Sequence, residues 1–276
     1  MIHLLLATVD DVLDTGDRLL GRTDGAGASA LVDAADRAAA ASKRAESDRR
    51  RTLAGRLALR LLTCAVQGRP VSDAPSLRVD RTCDRCGAPH GRPRLAELSA
   101  STSSSGGLVL AAVAGDAARV GVDVEEYPER LWHGFDDYAL HPAERQTVPS
   151  GRAGLVRRVQ TWTAKEALLK SVGVGLRSEP AGFRVATTAS ARVTTAGGRD
   201  GWHPVAQSDD PGLARAWTTG VDAGARAAAS VAAAEPTAIR TWRMSGHGPD
   251  TVSGALLRAH GSDDGAEQPV SAPAQV

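Results

Sequence analysis

The stretch LVLAAVAGDAARVGVDVE, residues 108–125, is the most regular part of the sequence and the part that decides the fold class. Its apolar first half predicts a short strand over residues 108–114. A turn containing Gly and Asp follows over residues 115–118, and residues 119–125 predict a second strand. We therefore expect sheet structure in the middle of the chain.

The second strand places two carboxylates on one face. Side chains alternate along a strand, so Asp123 and Glu125 share a face with Gly121, while the three valines share the other. Two like charges this close destabilise a strand when nothing neutralises them. The spacing alone leaves two interpretations open. Either a cation lies between the carboxylates, or this is an edge strand whose polar face is in solvent.

A helix downstream repeats chemically distinct side chains on one face. The periodicity predicts a helix over residues 155–172, in which Trp162, Glu166 and Lys170 lie four residues apart. Taken alone, the Glu–Lys pair is typical of a solvated helix surface and contributes about 0.2–0.5 kcal/mol. We expect Trp162 to be a packing anchor rather than a substrate contact.

Periodicity and composition predict further elements on both sides of this region. Helices are expected over residues 31–45 and from a cap at Asp48 to Gly68. Strands are expected over residues 2–9, 183–187, 214–221 and 225–234.

The composition excludes several functional classes. With 33 basic against 32 acidic residues and a net charge of +1, the chain lacks the basic footprint of a general nucleic-acid binder. No apolar run reaches the ~20 residues that a membrane span needs. Residues 1–10 are expected to form a strand rather than a signal peptide. Three cysteines are too few for a disulfide framework, which favours a reducing, cytoplasmic location.

Together, the strand and helix clusters resemble the paired signature of the 4'-phosphopantetheinyl transferases. That signature is G-[VI]-D-[VI]-E followed by W-[ST]-x-K-E-[AS]-x-x-K. Here residues 120–125 and 162–170 carry the two halves in order, with a 42-residue step from Asp123 to Lys165. The length is similar to that of the two-lobed monomeric branch of the superfamily, which activates carrier domains of polyketide and nonribosomal peptide synthetases.

The resemblance covers roughly residues 1–235 and includes four further segments. They are Arg51-Thr52-Leu53-Ala54-Gly55, Gly91-Arg92-Pro93, His141-Pro142-Ala143-Glu144 and Gly173-Val174-Gly175-Leu176. One segment departs from the family pattern, because Ser104 stands where relatives carry a histidine that helps to hold the phosphates of coenzyme A. A serine can still hydrogen-bond a phosphate but adds no charge.

The fold that the resemblance implies is α/β (α+β), with two similar lobes related by a pseudo-twofold axis. Each lobe is a long helix packed on a small, mostly antiparallel sheet, and the active site lies in the cleft between the lobes. We expect an N-terminal lobe over residues 1–115 with the coenzyme A contacts. The C-terminal lobe, residues 116–235, carries the metal and catalytic motifs, and residues 236–276 form a disordered tail.

The resemblance also implies a reaction. A serine hydroxyl of an apo acyl or peptidyl carrier protein attacks the β-phosphorus of coenzyme A and releases 3',5'-ADP. Mg²⁺ would be held by Asp123, Glu125 and Glu166, because it prefers oxygen ligands. Lys170 would stabilise or protonate the leaving phosphate. The base that takes the serine proton would be Glu166 or Glu144, and the sequence leaves both open.

The coenzyme A contacts come from the resemblance as well. Arg51 and Arg92 match positions that bind the 3'-phosphate and adenylate groups, for which the planar donor fork of arginine is suited. Ser103 and Ser104 fall in the phosphate-binding segment. Lys165 would contact a phosphate or the adjacent lobe. The implied protein is a monomer whose partners are carrier proteins and coenzyme A, with no nucleic acid and no membrane.

Three alternatives remain open at this stage. The Ser104 departure favours a relative that binds coenzyme A or a carrier protein without turnover. Three carboxylates alone would also suit a metal-dependent phosphatase or nuclease. Separately, Cys83-x-x-Cys86 followed by His90 is either half of a zinc site or an ordinary turn.

Overall fold

The computed structural model describes residues 1–24, 26–173, 178–186, 201–246, 248 and 250–261. Within this part of the chain, two five-stranded sheets account for the strands. The strands are β1 (Ile2–Thr8), β2 (Arg94–Leu95), β3 (Leu98–Ser105), β4 (Leu108–Gly115), β5 (Gly121–Glu126), β6 (Arg184–Val185), β7 (His203–Gln207), β8 (Trp217–Val221), β9 (Ala227–Ala233) and β10 (Ile239–Trp242). The helices are α1 (Val9–Leu19), α2 (Gly27–Ala30), α3 (Ala34–Ala41), α4 (Glu46–Gln67), α5 (Phe135–Ala139), α6 (Pro142–Arg145), α7 (Gly151–Val172) and α8 (Val252–Gly261).

The first sheet has the strand order β10-β1-β4-β3-β2. Its central pair, β1 and β4, is antiparallel and buried on both faces. One face packs against α4, where Leu5, Val109 and Leu57 belong to one apolar cluster. The opposite face packs against the second sheet, where Leu4 and Val122 belong to another. Burial on both faces explains why the sequence of β4 is continuously apolar rather than alternating.

The second sheet has the order β5-β9-β8-β7-β6, and α7 covers one of its faces. Gly121 permits the close approach of α7 to β5, because a Cβ there would overlap the backbone of Ala167 and Ser171. The valine face of β5 therefore meets the first sheet, and its carboxylate face meets α7.

Each sheet thus packs on a long helix of 22 residues, α4 in one case and α7 in the other. The prediction of a mixed α/β fold with two antiparallel-rich sheets is confirmed. Helix α4 starts differently from the prediction, since its cap residue, Ala45, makes no side-chain bond. Asp48 lies within the first turn and pairs with Arg51 instead. Among the described residues, no helix combines the length and apolar character that a membrane crossing needs.

The expectation of a disordered tail from residue 236 is wrong for part of that segment. Strand β10 pairs in parallel with β1 and so extends the first sheet. Helix α8 packs on α4, with Val252 and Leu256 buried in the same cluster as Trp242. The low periodicity of this segment concealed a short strand whose partner is more than 200 residues away. Residues 262–276 of the predicted tail lie outside the described residues. Residues 174–176 of the family-like segment Gly173-Val174-Gly175-Leu176 lie outside them as well.

Candidate active site

The candidate site lies where the polar face of β5 meets α7. Asp123 is buried, with 3% of its surface exposed, in the middle of β5. Its Oδ1 accepts a hydrogen bond from Lys170 Nζ at 2.6 Å and one from Ser103 Oγ at 2.7 Å. Lys170 Nζ also donates to Ser103 Oγ at 3.1 Å. Strand β3, strand β5 and helix α7 therefore meet at one carboxylate oxygen.

Glu125 lies two residues further along the same strand face. Its Oε2 accepts a hydrogen bond from Ser105 Oγ at 2.6 Å. Burial raises the pKa of Glu125, and the negative charge of Asp123 raises it further, while Ser105, Lys170 and the indole of Trp162 act in the opposite direction. The side chain is thus held beside the first carboxylate, and the interpretation of this face as a solvated edge is wrong.

Glu166 completes the group from the helix side. Burial raises its pKa to about 7, and the charges of Asp123 and Glu125 contribute in the same direction. The ammonium of Lys170 lowers it but does not compensate. Three carboxylates and one ammonium therefore occupy one partly buried region, which leaves an excess of negative charge.

Two oxygens of this group have no hydrogen-bond partner among the described residues. They are Asp123 Oδ2 and Glu166 Oε1, and both are buried. An unpartnered buried carboxylate oxygen is costly unless something else satisfies it. A divalent cation with oxygen ligands fits this requirement and would neutralise the excess charge.

The ligand oxygens of the three carboxylates are nevertheless spread apart. Within the described part of the chain, they do not all lie within 4.8 Å of one another, so binding one ion requires the side chains to move closer. The residues present are suited to Mg²⁺ in ligand type and charge.

A row of serine hydroxyls joins the two sheets beside the site. Backbone N–H groups of β5 and of the residue before it donate to serine side chains of β3. Val120 donates to Ser99 at 2.8 Å, Val122 to Ser101 at 3.0 Å and Glu126 to Ser105 at 3.2 Å. Serine hydroxyls thus satisfy the outer edge of β5, a place where another strand would otherwise pair. Sequence reasoning missed this role, although serines at every second position from 99 to 105 are a detectable signal.

Alternation along β3 separates the two serines that were predicted to bind coenzyme A. Ser103 faces the carboxylates, where Asp123 and Lys170 use its hydroxyl. Ser104 is exposed and faces away from them. Its contact with a phosphate therefore stays a prediction, and it would occur on the opposite face of the strand.

Lys165 and Glu144 form a buried pair away from the carboxylates. Lys165 has no exposed surface, and its three N–H groups donate to Glu144 Oε2 at 2.7 Å and to the carbonyl oxygens of Ala139 and Pro180. The other Glu144 oxygen accepts from Val185 N at 2.9 Å. Lys165 therefore has no donor left for a phosphate, and both oxygens of Glu144 already accept hydrogen bonds. The contact of Lys165 with the adjacent lobe and the role of Glu144 as a base stay predictions.

Arg92 connects the two sheets rather than pointing freely into the cleft. Its guanidinium donates to Ser99 Oγ at 2.8 Å and to the carbonyl oxygens of Val120 and Ser171, both at 3.1 Å. A longer bond of 3.4 Å reaches the carbonyl of Ala100. The predicted contact with coenzyme A would have to use the remaining N–H. Arg51 is partly exposed in the second turn of α4 and pairs with Asp48, and its predicted contact with coenzyme A stays a prediction.

Trp162 packs among aromatic side chains. Its ring centroid lies 6.1 Å from that of Phe135, 5.8 Å from that of Tyr138 and 6.0 Å from that of Trp132. The predicted packing role is confirmed.

Comparison with known proteins agrees with this geometry. Residues 119–228 match the family model of the 4'-phosphopantetheinyl transferase superfamily, a range that contains both β5 and α7. No curated protein matches the chain. The family match supports a transferase of the phosphopantetheinyl transferase kind, and such transfer is onto carrier proteins. Residues 119–228, which contain the Asp123 and Glu166 motifs, are therefore similar to the 4'-phosphopantetheinyl transferase superfamily.

Proposed function

We propose that this protein transfers the 4'-phosphopantetheine group from coenzyme A to a serine of an apo acyl or peptidyl carrier protein. In this reaction the serine oxygen forms a bond to the β-phosphorus of coenzyme A. The bond from that phosphorus to the bridging oxygen breaks, and 3',5'-ADP leaves with the electron pair. The observation that carries the proposal is the pair of buried, unpartnered oxygens of Asp123 and Glu166 next to Lys170.

The metal would be held by Asp123, Glu125 and Glu166, and we propose Mg²⁺ because all three offer hard oxygen ligands. When bound, Mg²⁺ supplies charge neutralisation at the pyrophosphate. The hydrogen bonds from Ser103 and Ser105 orient two of these carboxylates in advance. Such orientation lowers the reorganisation needed on binding.

Lys170 is the cation nearest to the proposed metal ligands in the motif. Its Nζ is fixed by Asp123 and Ser103, while 28% of its side-chain surface remains exposed. A positioned cation stabilises the charge that develops on a leaving phosphate, since transfer of this type depends on positioning and electrostatics. We infer that Lys170 faces the phosphates of coenzyme A with its exposed side.

The contacts of the two candidate bases favour one of them. Both oxygens of Glu144 accept hydrogen bonds from groups that hold the second lobe together. Glu166 keeps one oxygen without a partner among the described residues. We therefore propose Glu166, not Glu144, as the group that receives the proton of the carrier serine.

The remaining features of the proposal follow from the resemblance. Arg51 and the exposed Ser104 would contact coenzyme A, and the protein would act as a cytoplasmic monomer of the two-lobed branch. The near-neutral overall charge does not prevent binding of an acidic carrier protein, because fields at a protein surface are local.

The test is a mass measurement on the carrier. Purified protein is mixed with coenzyme A, Mg²⁺ and each of several apo carrier proteins from fatty-acid, polyketide and peptide synthases. We expect a gain equal to one phosphopantetheine group, and its loss with chelator or with Glu166→Gln. The exposed Glu129→Gln serves as the matched control and should retain the gain. Absence of any gain over all carriers would refute the proposal. Tight coenzyme A binding by calorimetry in that case would identify a non-catalytic relative.

A further inference from the structure

A loop between Asp80 and Arg94 carries three potential metal ligands that the proposed reaction does not use. The backbones of these two residues exchange hydrogen bonds of 3.0 and 2.8 Å, which close the loop at its base. Inside it, Gly91 N donates to Arg81 O at 2.6 Å. A Cβ on Gly91 would lie 2.6 Å from the carbonyl oxygen of Thr82, so glycine is required for this approach. The loop is folded tightly onto itself.

The tip of the loop is a turn that begins at Cys83. Gly87 N donates to the Cys83 carbonyl and Cys83 N donates to the Ala88 carbonyl, both at 2.9 Å. Gly87 has φ of +71°, which glycine adopts without steric cost. This turn brings Cys83, Cys86 and His90 together, with all three ligand atoms within 4.8 Å of one another and Cys86 Sγ 3.0 Å from His90 Nε2.

We propose that Cys83, Cys86 and His90 bind a zinc ion, with water or an external ligand at the fourth position. Two thiolates and an imidazole are the ligand set that zinc prefers. Zinc bonds of about 2.3 Å to sulfur and about 2.0 Å to nitrogen place neighbouring ligand atoms roughly 3.5 Å apart in a tetrahedron. The present separations of 3.0 Å and at most 4.8 Å lie around that value. Cys86 and His90 are exposed, so the ion can enter from solvent.

The site has a structural consequence for the contact between the sheets. His90 is followed directly by Gly91 and Arg92. Arg92 donates to the carbonyl oxygen of Val120, just before β5, and to that of Ser171 in α7. Zinc at His90 restricts the loop that delivers Arg92 to these carbonyls. The ion is therefore a structural one, separate from the three carboxylates, and the inference does not depend on the proposed transfer reaction.

Metal content is the direct test. The full chain is prepared without a histidine tag, reduced, incubated with Zn²⁺, desalted and measured by mass-spectrometric metal analysis. We expect about one zinc per chain for the natural protein. Cys83→Ser and His90→Ala should retain less than about a tenth of that. Cys64→Ala, in the buried thiol of α4, and Glu166→Gln, in the carboxylate group, should bind as much as the natural protein.

Cobalt substitution supplies a second readout that does not depend on the stability of a variant. Co²⁺ added to the natural protein should produce thiolate-to-metal charge-transfer absorption, and an equivalent of Zn²⁺ should remove it. Natural protein that retains no zinc and gives no such absorption would overturn the inference. A thiol count showing that Cys83 and Cys86 are oxidised to a disulfide after purification under reducing conditions would overturn it as well.

Trypsin tests the structural role of the ion. Arg85 lies between the two cysteines, so its peptide bond should resist cleavage with zinc bound and be cut at least about tenfold faster after chelation, because cleavage follows local opening. Cleavage after Arg22, in an exposed segment far from the loop, is the internal control. Equal protection at Arg85 with and without zinc would contradict the role.

Discussion

The charge of Glu144 is the most informative target for a single substitution, because sequence and structure give it different roles. Glu144→Gln keeps the size and hydrogen-bonding shape of the side chain but removes the charge opposite Lys165 Nζ, 2.7 Å away. Both side chains are almost completely buried, so solvent cannot replace the lost partner. The structure predicts a loss of stability, whereas a catalytic role predicts a loss of activity alone.

The magnitude follows from the buried pair. At an effective dielectric constant of about 20, two charges 2.7 Å apart attract by about 6 kcal/mol. The penalty is limited because the lysine can lose its proton, which costs about 5 kcal/mol at pH 7 from a reference pKa near 10.4. Breaking a buried pair costs about 3–5 kcal/mol in other proteins. We expect the free energy of unfolding to fall by this amount and the Tm to fall by roughly 6–15 °C.

Urea unfolding and calorimetry measure this loss, with Glu129→Gln as the exposed control that should stay within about 0.5 kcal/mol of the natural protein. The double variant Glu144→Gln with Lys165→Met should recover part of the loss, since it removes the unpaired charge. A single variant with an unchanged Tm and no transferase activity would refute the structural role. It would restore Glu144 as the candidate base.

Three further outcomes are expected. Glu166→Gln should leave the Tm of the metal-free protein unchanged or higher, because it removes one of three like charges. It should also abolish the increase in Tm caused by Mg²⁺ and lower kcat at least about a hundredfold. An unchanged response of the Tm to Mg²⁺ would contradict the place of Glu166 as a ligand. Gly121→Ala should lower the free energy of unfolding by more than about 3 kcal/mol, since the new Cβ would overlap the carbonyl of Ala167. The control Gly115→Ala has open space around the new Cβ and should cost less than about 1 kcal/mol. Equal effects in urea unfolding would refute the close approach of α7 to β5. Burial raises the pKa of the Cys64 thiol to about 11. At pH 8, alkylation of Cys64 in the folded protein should therefore be at least about a hundredfold slower than in the urea-unfolded protein. Equal alkylation rates in the folded and unfolded protein would contradict the burial of this thiol.

The local sequence carried much of the information about this fold. The strands β4 and β5 and the helix α7 lie close to their predicted positions, because their patterns depend on neighbouring residues only. Periodicity placed Asp123 with Glu125 on one strand face and Glu166 with Lys170 on one helix face. Their roles as site residues came from the resemblance to a known family.

Strand β10 could not be found from local pattern. Four residues with little periodicity become a strand because β1, at the other end of the chain, presents an unpaired edge to them. The same holds for the serines of β3. Their hydroxyls matter because β5 lies beside them in space, which no spacing along the chain reveals.

The sequence by itself determined which chemical groups are available: the carboxylates, the lysine and the two cysteines of the Cys83-x-x-Cys86 turn. It also determined which of these side chains lie on the same face of a strand or helix. What only the tertiary structure decided is the use of each side chain. Lys165 and Glu166 are neighbours in the motif, yet one is locked into the interior of its lobe and the other faces the carboxylate group. A helix rotates each successive residue by about 100°, so adjacent side chains must face different neighbours. Which neighbour each one meets depends on where the sheets and loops pack around the helix, and long-range contacts alone determine that.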